Sequence, residues 1–331
     1  MRKKISQKDI ADSLNISRVT VTKALQDNPE ISKETIRRVK QKALEVGYIP
    51  DFIGRSLSSK RTLTIGVVIP KIAHSFFSYS IEKMYEAAHE RGYNIIPMVS
   101  FEDREKEMEN IRKLLSMRAD GIILDIAQNT TDNSSFELAM KVGCKVIFFD
   151  RCPYNFTGGS VVTDDREGAY KLTRLLISKG YQKIFYLSGP IYLNICDERK
   201  KGYEQAMNEN QMLCRLMNVD MNRESGYHAV MRMAKSNEMP DAIFAINDPV
   251  AMGIYDAAGE LGLRIPQDIA VAGFGDIDAS SMLQPPMTSV RPPIEEMAKA
   301  SVEVLINMIE NDLDEGNQMI FPSQLMERMS I

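Results

Sequence analysis

Ser17-Arg-Val-Thr-Val-Thr-Lys23 gathers side chains whose chemistry suits a polyanion. A helix starting at Arg18 turns Val21, Ala24 and Leu25 inward and leaves Arg18, Val19, Thr22 and Lys23 on or near its outer face. A guanidinium and an ammonium there can bond phosphate oxygens or guanine N7 and O6, and a valine can meet a thymine methyl. No other stretch offers comparably grouped chemistry. Asp164-Asp165 is a carboxylate pair, but adjacent residues at a strand end point apart, and helix capping is the expected role. Gly273-Phe-Gly275 supplies half of a dinucleotide fingerprint, and neither a phosphate loop nor a nucleophile elbow occurs. Cys144, Cys152, Cys196 and Cys214 lack Cys-x-x-Cys spacing and read as free thiols of a reducing cytoplasm. His74, His89 and His228 are scattered. No enzyme activity, metal or cofactor is expected.

Those basic residues need elements to hold them. Ser6 can cap a first helix over 7–14 with Ile10, Ala11 and Leu14 on one stripe, and Asn15-Ile16 makes the turn. Ser17 can cap the second helix, over 18–26. A third amphipathic run over 33–46, with Ile36, Val39, Ala43 and Val46 at helical spacing, closes a core that two short helices cannot build. This is the helix-turn-helix geometry that places a recognition helix in the DNA major groove. Charge agrees. The first 60 residues carry 13 Lys+Arg against 7 Asp+Glu, the remainder 28 against 38. A basic module on an acidic body is the footprint of a nucleic-acid binder.

Gly47-Tyr-Ile-Pro50 ends the third helix, and residues 51–57 can form two turns of a further helix before a polar linker. From residue 63 strand and helix alternate. Apolar strands are expected at 64–69, 94–99, 121–125 and 145–150, then at 160–163, 183–187, 241–246 and 268–274, with a closing strand near 319–321. Residues 211–223 give no clear strand. The fold class is α/β: a three-helix head plus a core of two doubly wound parallel-sheet subdomains with a ligand cleft between them. No apolar run reaches ~18 residues, so no membrane span is expected, and the basic N-terminus lacks the apolar segment of a secretory signal.

The chain resembles the LacI/GalR family of bacterial transcription regulators over its full length. The resemblance is carried by Lys8-Asp-Ile-Ala11, Val21-Thr-Lys-Ala-Leu25, Gly47-Tyr-x-Pro50, Arg55-Ser-Leu57 and Thr64-Ile-Gly-Val-Val-Ile-Pro70. It continues through Ala119-Asp-Gly-Ile-Ile123, Phe149-Asp-Arg151, Arg199-Lys-x-Gly-Tyr203, Ala245-Ile-Asn-Asp248, Arg264-Ile-Pro-Gln-Asp268 and Thr288-Ser-Val-Arg-Pro292. It implies a cytoplasmic homodimer on a pseudo-palindromic DNA operator, with a periplasmic-binding-protein-like core that senses a small molecule, a carbohydrate by family habit. The alternatives are control by a protein co-repressor or a solute-binding receptor. The implied domains are a head at 1–49, a hinge helix and linker at 50–61, one core subdomain at 62–159 plus 292–320, and the other at 160–291 plus 321–331.

Carried onto this chain, the family's DNA contacts fall on Arg18, Val19 and Lys23 for bases, on Ser17, Thr20 and Thr22 for phosphates, and on Arg55 and Leu57 in the hinge, Leu57 as the wedge that kinks the duplex. Its effector contacts fall on Ser75, Phe76, Phe77, Asp150 and Arg151, then on Arg199, Asn247 and Asp248. After Gly273-Phe274 the family usually places an Asp that bonds the ligand. Gly275 stands here instead, followed by Asp276, which either takes over the role or leaves the contact missing.

Overall fold

The computed structural model describes residues 5–49, 61–153, 159–314 and 316–331. The chain divides into two compact units between Thr62 and Leu63. The expected hinge helix, with Arg55 and Leu57, lies outside the described residues.

The head folds as its caps dictate. Helix α1, Gln7–Leu14, starts at a capping box between Ser6 and Asp9 and stops at Asn15 in the left-handed conformation. Helix α2, Arg18–Leu25, is capped by the Ser17 hydroxyl, and α3, Lys33–Val46, runs from Ser32 to a left-handed Gly47. Ile10, Val21, Ala24 and Val39 are fully buried between the three.

The core unit contains two six-stranded sheets. The first is built from β1 Thr64–Ile69, β2 Asn94–Val99, β3 Gly121–Leu124, β4 Lys145–Phe149 and β5 Ser160–Thr163, interleaved with α4 Ser75–Glu90, α5 Arg104–Ser116 and α6 Ser134–Lys141. The second takes α7 Asp165–Ser178, β6 Ile184–Ser188, α8 Asn194–Glu209, β7 Arg215–Asn218, α9 Arg223–Lys235, β8 Ala242–Ala245, α10 Asp248–Glu260, β9 Ala270–Phe274, α11 Asp278–Met282 and β10 Thr288–Arg291. The chain then returns through α12 Ile294–Glu310 and β11 Gln318–Phe321 to the first sheet and ends with β12 Gln324–Met326 in the second. The orders are β11-β5-β4-β3-β1-β2 and β12-β10-β9-β8-β6-β7, parallel except for β10 against β12.

Alternation along the strands decides which face each residue covers. Ile65, Val67 and Ile69 pack with Met84, Val302 and Leu305 of α4 and α12, while Val68 faces Ile111 and Leu114 of α5. Pro97 is tolerated because β2 is an edge strand. In the second half α9 and α10 cross so closely that a Cβ at Gly253 would stand 1.8 Å from the Arg223 carbonyl oxygen and one at Gly226 2.0 Å from that of Val250.

Three expectations change. Residues 160–163, assigned to the second subdomain, pair with β4 and β11 and belong to the first sheet, as does Phe321. Four apolar residues carry no mark of which sheet they enter. The unreadable stretch 211–223 contains β7, a half-exposed edge strand with no apolar run. The chain passes between the sheets at Asp164, at Pro292-Pro293 and at Pro322-Ser323. Asp164 Oδ1 accepts from the Ser323 amide at 2.7 Å and hydroxyl at 2.6 Å, so it ties two crossings together rather than capping α7.

Candidate functional site

In the head, Arg18 and Val19 are exposed on the first turn of α2, Val19 by 64%. Arg18 has no side-chain partner among the described residues. The other expected DNA contacts already hold the fold. The Ser17 hydroxyl accepts from the Thr20 amide at 3.0 Å and shares a hydrogen bond with the Thr20 hydroxyl at 2.9 Å. Thr22 donates to the Gln7 carboxamide at 2.9 Å and to the Arg18 carbonyl at 3.0 Å, binding α2 to α1. Lys23 is ion-paired with Glu30. The free chemistry of this face is therefore concentrated at Arg18 and Val19.

The cleft of the core unit lies at the carboxyl ends of both sheets, where parallel strands direct their following loops. It encloses a cavity of about 200 Å³. One wall comes from the first sheet. Asp150 follows β4 in the left-handed conformation, φ 58°, which re-aims the chain, and its carboxylate lines the cavity with no hydrogen bond among the described residues. Burial raises that carboxyl above its usual range against the pull of Arg199 and Arg151. Arg151 is almost entirely enclosed. Its Nη1 donates to the Glu102 carboxylate at 3.0 and 3.2 Å and to the Ile126 carbonyl at 3.3 Å, and its guanidinium lies 5.5 Å from the Phe77 ring centre. Glu102 also accepts from the Gln128 amide at 2.8 Å, and the fully buried Glu107 accepts from the Ala127 amide at 2.7 Å. The two acids pin the loop after β3.

The opposite wall comes from the second sheet. Arg199 on α8 donates through Nε to Asp165 at 2.7 Å and through Nη1 to the Ile246 carbonyl at 2.7 Å, and its guanidinium stacks 3.7 Å from the Phe274 ring centre. Its Nη2 has no partner among the described residues. Asn247 lines the cavity while its side chain caps α10, accepting from the Val250 amide at 3.0 Å. Contacts already bridge the walls. Asn194 accepts from the Cys152 amide at 2.9 Å and donates to the Asp150 carbonyl at 3.0 Å, and the Tyr192 hydroxyl donates to the Gln128 carbonyl.

Phe76, Phe77, Asp150, Arg151, Arg199 and Asn247 thus meet in one cavity. Three expected residues do not. Asp248 is fully buried, and its carboxylate accepts from the Ile277 amide and the Ser280 and Ser289 hydroxyls at 2.7–2.9 Å, so it shapes the 275–280 loop with its acceptors engaged. Asp276, beside the missing acid at 275, does not line this cavity. Its carboxylate is held at 2.6 Å by Arg291 and at 2.6 Å by Arg328, turned away from the inner cavity. Ser75 opens onto a neighbouring cavity with it. Asp197 and Glu198, next to Arg199 in sequence, pair with Lys201 instead of with it.

Lys71, Glu102, Asn222 and Phe274 line the cavity without an expected role there, and His74, in the same stretch as Phe76 and Phe77, lines it too. Glu102 sits in the charged run Phe101-Glu-Asp-Arg-Glu-Lys106, which reads as a solvated helix start; only the preceding apolar strand hinted that its first acid faces the strand ends. His74 is mostly buried with Nδ1 unbonded, and burial beside Arg151 and Lys71 lowers its pKa to about 4, so it is neutral near pH 7. No group of acids, histidines and cysteines that could hold a metal occurs among the described residues, and no helix among them is long and apolar enough to cross a membrane.

Comparison with known proteins agrees with this geometry. Residues 6–51 match the model of bacterial regulatory proteins of the lacI family, and residues 173–331 match a periplasmic binding protein-like domain. The transcriptional regulator RegA of Clostridium saccharobutylicum is 30% identical over 330 residues, 98% of either chain. Among solved structures, the lac repressor dimer bound to operator and the anti-inducer ONPF superimposes with a TM-score of 0.87 at 24% identity over 99% of either chain. A LacI family regulator from Enterococcus faecium with bound ribose gives a TM-score of 0.71 at 25% identity, over 81% of this chain and 98% of that one. With a relative that similar along nearly its whole length, a lacI head at its start and a binding-protein core behind it, the chain belongs to the LacI family of DNA-binding transcriptional repressors.

Proposed function

We propose that this repressor binds a pseudo-palindromic operator as a homodimer and that a carbohydrate held in the core cleft sets its operator affinity. The observation that carries the effector reading is the cavity at the strand ends. It has a buried guanidinium on either side, a carboxylate with free acceptors and three phenyl rings. That set suits a polyhydroxylated ring. Arg199 Nη2 donates to hydroxyls, Asp150 and Asn247 pair with them, and a phenyl face covers the apolar side of the sugar. At about 200 Å³ the cavity is smaller than the ~300–1,000 Å³ of drug-sized sites, and it takes about one ring. The ribose bound by the Enterococcus faecium relative supports the same class.

The mechanism follows from the bridges across the cleft. A ligand that bonds both walls favours their closed arrangement over an open one. Any difference in DNA competence between those arrangements becomes ligand control, and a coupling of about 1–3 kcal/mol suffices. In the head, Arg18 and Val19 read bases, and the hinge residue Leu57 is carried along as the wedge at the centre of the operator.

The test is operator selection from random duplexes, followed by titration of wild type and Arg18→Ala on the selected site and on variants at each base. A base-reading Arg18 makes the variant lose about 1–3 kcal/mol of discrimination at one base pair per half-site. A uniform loss on every sequence assigns Arg18 to the backbone instead. Selection of a site without two-fold symmetry removes the dimer reading.

A further inference from the structure

Beside the inner cavity lies a second, of about 590 Å³, and Phe76, Gly275 and Pro292 line both. The residue between them is therefore a glycine, at the position where the family usually carries the ligand-bonding acid. Gly275 sits at φ +128°, a conformation that side chains rarely adopt. A Cβ built on it would meet nothing closer than an Asp248 oxygen at 3.7 Å and Ile277 Cγ2 at 3.9 Å. The space that a side chain would fill is open, and it borders both cavities.

The outer cavity has the chemistry of a sugar subsite. Tyr79 is 41% exposed, with the ammonium of Lys83, itself paired with Glu86, 5.4 Å from its ring centre, and Gln324 supplies a carboxamide. Its charge is one-sided. Asp278, Glu295 and Glu296 line it, and the one cation among its described lining residues, Arg291, is already bound to Asp276. A phosphate or carboxylate placed there would meet repulsion with no free cation to offset it.

We propose that the effector is a neutral disaccharide, with one ring in the inner cavity between Arg199 and Asp150, the glycosidic linkage passing over Gly275, and the second ring against Tyr79. This rests on the reading of the inner cavity as a carbohydrate site. The loss of the acid at 275 then has a consequence: it gives up one ligand bond and opens the passage for a longer ligand.

The experiment is calorimetric titration of the full chain with glucose and galactose, with cellobiose, maltose and lactose, and with glucose 6-phosphate and glucuronate. The expected result is that one neutral disaccharide binds more than tenfold tighter than either hexose. Tyr79→Ala and Gln324→Ala, both at the cavity rim, should each weaken that disaccharide by about fivefold while changing hexose affinity less than twofold. Their ligand-free melting curves show whether they fold. Equal affinity for hexose and disaccharide, unaffected by either variant, overturns the extension and leaves the single-ring site standing. Tight binding confined to the phosphate or the uronate overturns the neutral assignment. Failure of every sugar to bind a folded chain removes the carbohydrate reading and the extension with it.

Discussion

Each half of the core places one buried arginine in the cleft, and the two are held differently. Arg199 is satisfied on all sides but one: Asp165 and the Ile246 carbonyl take its protons, Phe274 covers its face, and only Nη2 is left toward the cavity. Arg151 has Glu102 on Nη1, but its Nε is buried without a hydrogen bond. Asp125, 3.7 Å from that Nε, is wholly enclosed with both oxygens unbonded. Arg199 thus keeps one donor over, whereas around Arg151 a buried donor and a whole buried carboxylate lack hydrogen bonds. A buried polar group without a partner costs about 1–3 kcal/mol, and more when charged. Such groups mark the side with bonds still to gain, and Asp125 lies in the loop after β3 that Glu102 and Glu107 hold.

Removing the finished pair has the largest expected effect. Arg199→Ala removes a buried ion pair. Burial already pushes the Asp165 carboxyl up to about 7, so without its cation it is protonated near neutral pH and left without its partner, and losing the pair costs about 3–5 kcal/mol. Urea unfolding of the full chain measures it, through a lower midpoint with an unchanged slope. Adding Asp165→Asn to the variant should recover part of the loss, because the cost of protonating the buried carboxyl goes with it. A loss below about 1 kcal/mol would show that Arg199 is no tighter than Arg151 and would erase the contrast.

The unsatisfied side is best examined through pH. Burial raises the Asp125 carboxyl well above its usual range, with Arg151 opposing. An acid with a raised folded pKa contributes its stability in acid, below ~4, and loses it as pH rises through the folded value. Asp125→Asn should therefore stabilise the protein by about 1–3 kcal/mol at pH 7 and do little near pH 4. His74 runs the other way. Its folded pKa, about 4, lies below the unfolded ~6.5, so stability falls as pH drops through that window, by about 3 kcal/mol at most. His74→Leu should flatten the acid limb and leave pH 8 almost unchanged. Unfolding of wild type and both variants from pH 4.5 to 8 separates the two slopes. A destabilised Asp125→Asn would show that the carboxylate is charged and well solvated by its surroundings.

What the sequence made legible follows the same division between local and distant causes. Ser6, Ser17 and Ser32 start the head helices and Gly47 ends one, because capping is settled within four residues. The parallel strands stood out because burial on both faces makes continuous apolar runs. β7 and β12 did not, because short edge strands bury little. In the cleft, Arg151, Arg199 and Asp150 came from the family resemblance, which places effector contacts at strand and helix ends. The direction in which a carboxylate points was not readable. Asp276 turns to Arg291 and Arg328, 15 and 52 residues away, and Asp248 to Ser280 and Ser289, 32 and 41 away. Those pairings exist only once the second sheet is assembled.

The smallest expected effect lies at the bridge between the walls. The Tyr192 hydroxyl reaches from the loop before α8 to the Gln128 carbonyl, in the same loop that Glu102 and Glu107 pin from behind. Tyr192→Phe removes one neutral hydrogen bond at a half-exposed position, worth about 0.5–1.5 kcal/mol. Because the bond joins the halves, its loss should fall on closure more than on global unfolding. Amide exchange is expected to speed up several-fold at residues 126–130 while β3 and β6 keep wild-type protection. If the two walls moved as one body, the variant would shift all these amides equally. A response confined to the loop fits the first wall, where the Asp125 oxygens make no hydrogen bond while Arg151, Glu102 and Glu107 hold the neighbouring residues of the loop.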